Sequence, residues 1–185
     1  MSPAPIETER LLIRRFNPDD AAFILELLNE PGWLRFIGDK GILTVEEARR
    51  YIERGPMASY EAHGFGLSLV ALKESGVAAG MAGLIRREGL EDVDVGFAFL
   101  ERHMGQGYAH EAAEAVVAQG WDRFGLARIV AITTPDNERS IRLLEALGFR
   151  FERVFRMPGG DEDLNLYAKE RPSAAGSPAQ SGVIL

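Results

Sequence analysis

The sequence predicts an α+β domain: a mostly antiparallel sheet that runs into one β–α–β-like crossover. Three observations carry that prediction. Helical spacing dominates the first third of the chain, period-two alternation takes over between Phe65 and Phe99, and an Ala/Val-rich helical stretch then separates two strand-like segments.

Residues 9–16 open the chain with strand character. Asn17-Pro18-Asp19-Asp20 supplies a capping residue, a proline suited to the first helical position and two acids for the first turn. Phe23, Ile24, Leu27 and Leu28 follow at helical spacing and stop at Glu30-Pro31-Gly32. Thr44 and Glu47 form a capping-box pattern opening a second helix with Ala48, Tyr51 and Ile52, predicted to end at Gly55-Pro56. Residues 65–72 and 77–85 read as a hairpin turning at Lys73-Glu74-Ser75-Gly76, and Val93-Asp94-Val95-Gly96-Phe97-Ala98-Phe99 alternates again. A helix over 109–124, a buried strand over 127–133, a helix over 137–147 closed by Gly148, and strands over 149–155 and 163–169 complete the order β α α β β β α β α β β.

Composition bounds the function. The 185 residues suit one domain, expected over 1–171, with a Pro/Ser/Ala/Gly-rich tail at 172–185 read as disordered. With 46% hydrophobic and 26% charged residues, no apolar run near the ~20 residues of a membrane span and no signal-peptide core, a cytoplasmic globular protein with no membrane role is expected. The formal net charge of −7 argues against a nucleic-acid partner held through its phosphate field. The absence of cysteine removes thiol nucleophiles and cysteine metal sites together, and His63, His103 and His110 lack metal-ligand spacing, so no metal is expected.

The most informative stretch is Met104-Gly105-Gln106-Gly107-Tyr108-Ala109-His110-Glu111-Ala112, between a strand and a helix. Two glycines allow close backbone approach to a ligand, and the free amides opening the helix favour an anion, which suggests a pyrophosphate cradle. Arg102, His103 and His110 are candidates for local positive charge. On the motif alone, a plain strand-to-helix turn competes evenly. A dinucleotide loop would want a small residue where His110 stands, and a triphosphate loop would want Gly-Lys-Ser/Thr.

The surrounding motifs resemble the GNAT acetyltransferase superfamily, in particular its Rim-type branch of ribosomal-protein N-terminal acetyltransferases. Thr8-Glu9-Arg10-Leu11 is similar to that branch's opening strand. Gly96-Phe97-Ala98-Phe99 is similar to the strand beside the cofactor arm, and residues 105–112 to its Gly-Lys-Gly-Tyr-Ala-x-Glu-Ala signature. Asn137-Glu138-Arg139-Ser140, with Leu144 and Gly148-Phe149, is similar to its Asn-x-x-Ser … Leu … Gly-Phe signature. Gln106 departs from a frequent basic residue, and Met104 from an aromatic, Gln or Arg. The resemblance implies a mixed, mostly antiparallel central sheet with helices on both faces, acetyl-CoA as co-substrate and an amine acceptor, either a small molecule or a peptide. A homodimer is common in the superfamily.

The resemblance also implies roles. The pantetheine arm would run along Phe97, Phe99 and Leu100, with the Phe99 amide stabilising the developing oxyanion. The diphosphate would sit in the turn of Gly105, Gln106, Gly107, Tyr108 and Ala109. Asn137 would bond the pantetheine amides, against a plain helix-capping role, and Ser140 would lie near the thiol. Trp33, Arg35, Phe36 and Asp39 are candidate acceptor contacts, at even odds with packing; Arg35 and Asp39 could equally pair with each other. A lysine-type amine with pKa ~10.4 is neutral roughly once in ~2,500 molecules at pH 7, an α-amine near ~8 about one time in ten, so only the former needs a strong base. Asp94 is the candidate proton acceptor; Glu88, Glu91 and Asp92 read better as a solvated acidic turn. Tyr167 is read as core before proton donor. The competing function is a non-catalytic sensor or scaffold that binds acyl-CoA without needing Ser140 or Asp94.

Overall fold

The computed structural model describes residues 3–173, so most of the segment expected to be a disordered tail lies outside the described residues. Eight strands form one sheet in the order β1-β2-β3-β4-β5-β6-β8-β7. They are β1 (Ile6–Glu7), β2 (Leu11–Arg15), β3 (Leu67–Leu72), β4 (Ala78–Ile85), β5 (Val93–Phe99), β6 (Arg128–Thr133), β7 (Arg150–Phe155) and β8 (Leu164–Glu170). Every neighbouring pair is antiparallel except β5 beside β6.

The helices are α1 (Ala21–Leu28), α2 (Pro31–Phe36), α3 (Val45–Ile52), α4 (Ala58–His63), α5 (Tyr108–Asp122) and α6 (Glu138–Ala146). Strand alternation divides the core. Leu11, Ile13, Val70, Ala82, Leu84 and Val95 pack with Ala112, Val116 and Val117 of α5 on one face. Leu69, Ala71 and Met81 pack with Ile24, Leu27 and Leu28 of α1 and Ala48 and Ile52 of α3 on the other. Helices therefore cover both faces, and among the described residues none is long and apolar enough to cross a membrane.

The structure corrects the expected element list at three points. Ile6 and Glu7 pair with β2 as a short edge strand. Pro31-Gly32 does not simply stop a helix: Pro31 sits at the first position of α2, where its missing N–H costs nothing. Gly55-Pro56 does not end the second helix, because a wide π-type turn over Glu53–Met57 absorbs the proline and the chain runs on into α4. Gly64, at φ +79°, closes it with its N–H on Tyr60 O.

What positions the site is the parting of β5 and β6. The two parallel strands are in register only at Val93↔Ile129 and Asp94↔Val130. Beyond that, β6 stays paired with β8 through Thr133 and β5 stays paired with β4 through Phe99. The sheet splits into a V whose arms are Val95–Phe99 and Ala131–Thr133.

Candidate active site

The V opens into a cleft of about 660 Å³ lined by both arms, by the start of α6 and by α2. The backbone of β5 decides what the gap presents. The Leu100 N–H donates to Ala79 O of β4 at 3.0 Å, and the Ala98 carbonyl also faces β4, since a Cβ added to Gly80 would lie 2.6 Å from Ala98 O. Successive residues of a strand direct their amides to opposite sides. The amides of Phe97 and Phe99 therefore face the gap, where β6 has turned away. Their side chains serve the core: Phe99 is buried and Phe97 packs against the same cluster. Leu100 is corrected, because its amide is committed to β4, its side chain is fully buried and it does not line the cleft.

The glycine turn lies at the far end of β5. Met104 and Ala109 line the cleft, whereas Gly105, Gln106, Gly107 and Tyr108, between them in the chain, do not. Gly105 and Gly107 hold φ of +73° and +82°, a region that disfavours any side chain. The cation behind this turn is Arg10, a residue absent from the expected set. Its Nη1 donates to Gln106 O at 2.8 Å, and its guanidinium lies 4.6 Å from the centre of the Tyr108 ring. Glu111 holds Arg10 in turn, accepting from the Arg10 backbone N–H at 2.8 Å, from Nε at 2.7 Å and from the Thr8 hydroxyl at 2.6 Å. Burial pushes the Glu111 carboxyl up, but these donors outweigh it and hold the group below the usual range. In a trans peptide the C=O and the next N–H oppose each other. Holding Gln106 O on Arg10 thus turns the Gly107 amide outward. Arg102, expected to serve here, is bonded instead to Glu26 of α1.

On the opposite arm, Asn137 caps α6: its Oδ1 accepts from Ser140 N at 3.2 Å, leaving only its side-chain NH2 free to donate. Asn137 and Ser140 both line the cleft. Arg139 reaches back across it, with Nη1 against the Met104 sulfur. Trp33, Arg35 and Phe36 line the α2 wall, Trp33 buried with its indole N–H on Gly38 O at 3.0 Å. Arg35 reaches Asp136 at 3.4 Å, both largely exposed. The expected Arg35–Asp39 alternative does not occur: Asp39 accepts from Gly41 N at 2.7 Å and stands off the cleft. Tyr167 is buried in the core, with the exposed Phe151 ring edge-on against it, and does not line the cleft.

Asp94 lies where the strands begin to part, 1% exposed. Arg87, just beyond β4, donates from Nε to Asp94 Oδ2 at 2.5 Å. Burial pushes the Asp94 carboxyl up to about 6, against the lowering pull of Arg87 and of the nearby Ile132 amide. Oδ1 has no hydrogen-bond partner of good geometry among the described residues. Of the neighbouring acids, Asp92 is bonded to Arg128 at 2.9 Å and Glu91 is exposed, so neither competes for the cleft. Arg87 and the β6 arm were missed by sequence reasoning; the signal for β6 lay in its pairing, which no local motif reports.

The family model for the "Acetyltransferase (GNAT) domain" matches residues 10–150, a span running from Arg10 through the whole cleft to the start of β7. The chain belongs to the GNAT acetyltransferase family. Among curated relatives, the uncharacterized N-acetyltransferase YoaA of Bacillus subtilis is 29% identical over 173 residues, covering 90% of this chain and 97% of that protein. A GNAT-family acetyltransferase from Bacillus anthracis superposes with a TM-score of 0.75 at 28% identity, over 90% of this chain and 98% of the other. RimL, a ribosomal L7/L12 α-N-protein acetyltransferase crystallised with coenzyme A, shares the fold at a TM-score of 0.77 and 19% identity, over 90% and 97% of the two chains. As a GNAT acetyltransferase, the protein transfers acetyl groups and uses acetyl-CoA.

Proposed function

We propose that the protein is an amine N-acetyltransferase that works by direct transfer in a ternary complex, with the pantetheine arm of acetyl-CoA lying as a missing strand between β5 and β6. The observation that carries this is the pair of β5 amides, Phe97 and Phe99, turned into a gap with no β partner and leading toward a glycine turn whose Gly107 amide faces outward. Amides of residues 106–109 would hold the diphosphate, and the Asn137 NH2 a pantetheine carbonyl. The likeness of fold to RimL supports the Rim-type branch and a primary amine, on a protein N-terminus or a small molecule, as acceptor.

Acetyl-CoA supplies the acetyl group as a thioester; the chain's residues manage charge and protons. Nitrogen forms a bond to the acetyl carbon as the carbon–sulfur bond breaks, and the Phe99 amide meets the charge that develops on the carbonyl oxygen. The ammonium proton passes to Asp94, which is ionised above about pH 6. Because Asp94 is almost fully buried and stands about 16 Å along β5 from Phe99 at the usual rise per strand residue, the transfer runs through a file of several waters in the cleft. The Ser140 hydroxyl hydrogen-bonds the leaving sulfur and passes it a proton as it takes one from water, while Asp94 releases the amine's proton to water, so both groups are restored. No cysteinyl acetyl-enzyme is available to a chain without cysteine. The test is coenzyme A release across a panel of α-amines, lysine-type amines and polyamines, read against pH, beside direct measurement of coenzyme A binding. Turnover with any amine supports the proposal; tight binding with no release on the whole panel overturns it in favour of a sensor.

A further inference from the structure

Two arginines follow β4, and the structure uses them differently. Arg86 turns to its own loop, donating from Nη1 to Glu91 O at 2.9 Å. Arg87 lines the cleft, and its side chain is 36% exposed although its Nε is fastened to a buried carboxylate. Where an arginine is spent fully on one carboxylate it satisfies both oxygens with two parallel N–H groups, as Arg14 does with Asp20. Arg87 does not. It reaches Oδ2 through Nε alone and leaves Oδ1 without a partner. Among the described residues, neither of its terminal nitrogens has a hydrogen-bond acceptor. The other cleft arginines are engaged elsewhere, Arg35 with Asp136 and Arg139 with Met104.

Position matters as much as geometry. Arg87 stands beside Asp94, at the closed end of the V, about 16 Å along β5 from Phe99 and farther still from the glycine turn, at the usual rise per strand residue. It is therefore remote from the phosphates of the donor. It lines the same cleft at the Asp94 end, so an acceptor whose amine reaches the thioester beside Phe99 extends its far end toward Arg87.

We propose that Arg87 is a specificity-determining residue that grips a carboxylate on the acceptor, so that the preferred substrates are amines that also carry a carboxylate. The inference rests on the acetyltransferase reading above. Asp94 fixes the plane of the guanidinium through Nε, and the terminal N–H groups form the planar fork that a carboxylate matches in two parallel hydrogen bonds. The fork is formed before the acceptor arrives, so little side-chain ordering is left to oppose binding. Alkyl amines and polyamines offer it nothing.

The test compares matched acceptors on the wild-type enzyme: ω-amino acids of graded length and short peptides against their primary amides, plus the corresponding aminophosphonates, with each kcat/KM corrected to the neutral amine. The expected result is a preference of about tenfold to a hundredfold for the carboxylate over the amide. Arg87→Gln should slow all acceptors, because Asp94 loses the cation that favours its ionised form, and should abolish the preference by slowing the carboxylates further; Arg87→Lys should keep part of the preference, and the affinity for coenzyme A should be unchanged in both. Since Arg87→Gln strands a buried acid, an Arg87→Gln/Asp94→Asn double variant serves as the folded control. Equal wild-type rates on carboxylates and amides overturn the inference, as does a carboxylate-to-amide ratio in Arg87→Gln that matches wild type. Preference for the aminophosphonate replaces the carboxylate with a phosphate-bearing acceptor. Brisk turnover confined to plain amines refutes Arg87's role while leaving the acetyltransferase reading intact, whereas coenzyme A binding without turnover on any amine removes both.

Discussion

Replacing Arg10 by alanine tests how the glycine turn is held. The substitution removes the bond to Gln106 O at 2.8 Å and the pair with Glu111, but Glu111 keeps the Thr8 hydroxyl and the residue-10 backbone N–H, so β2 stays docked on α5. A hydrogen bond from a charged donor contributes about 1.5 kcal/mol at the low end, which is the appropriate end for a side chain 43% exposed. The exposed ion pair adds roughly 0.5 kcal/mol. If that ~2 kcal/mol of loop order must be supplied by the ligand, affinity for acetyl-CoA falls about 30-fold. The assay pairs acetyl-CoA with S-acetylpantetheine, which shares the thioester arm and lacks the diphosphate. KM for acetyl-CoA should rise with kcat nearly constant, while kcat/KM for S-acetylpantetheine stays put. An equal fall on both donors, or no change on either, refutes the argument that Arg10 acts through the diphosphate cradle.

The raised carboxyl of Asp94 has a definite sign. A folded-state pKa of about 6 against the ordinary 3.8 means the folded protein binds that proton more tightly. The associated stability is present in full below about pH 4 and is lost as the pH rises through 6, to an extent on the order of 3 kcal/mol. Urea unfolding of wild type and Asp94→Asn at pH 4 and pH 7 should show the difference between them shifting in favour of the variant by that order. The rise of kcat/KM near pH 6 should vanish in the same variant. Ser140→Ala should lower kcat by about 10- to 100-fold with coenzyme A affinity retained, as measured by calorimetry beside turnover. Gly83→Ala should destabilise by about 3 kcal/mol in thermal unfolding. Its Cβ would lie 2.2 Å from Gly66 O and 2.6 Å from Leu67 Cα, and neither is a flexible side-chain end that could swing aside.

Legibility followed the range of the forces involved. The capping box of Thr44 and Glu47, the N-cap Asn17 and the alternation of β5 are local, and all stand as the residues suggest. Pro31 and Pro56 misled because proline is compatible with both a stop and a start, and only tertiary packing of Trp33 and Tyr60 selects between them. At the site, Phe97, Phe99, Ala109, Asn137 and Ser140 line the cleft, each marked by a motif. Leu100 and Asp39 do not, because one amide is spent on Ala79 and one carboxylate on Gly41. Arg10 and Glu111 lie 101 positions apart, and Arg87 meets Asp94 across a strand turn. Pairings of that kind leave no periodic trace.

The short register between β5 and β6 has a mechanical consequence. Two matched residue pairs make up the backbone pairing between a five-strand plate, β1 to β5, and a three-strand plate of β6, β8 and β7, which otherwise meet through side chains of the shared core. Along that seam flexing is cheapest, since few backbone hydrogen bonds must stretch. A thioester arm laid into the gap would act as a suture, coupling the two plates while it is present and releasing them when the spent carrier leaves.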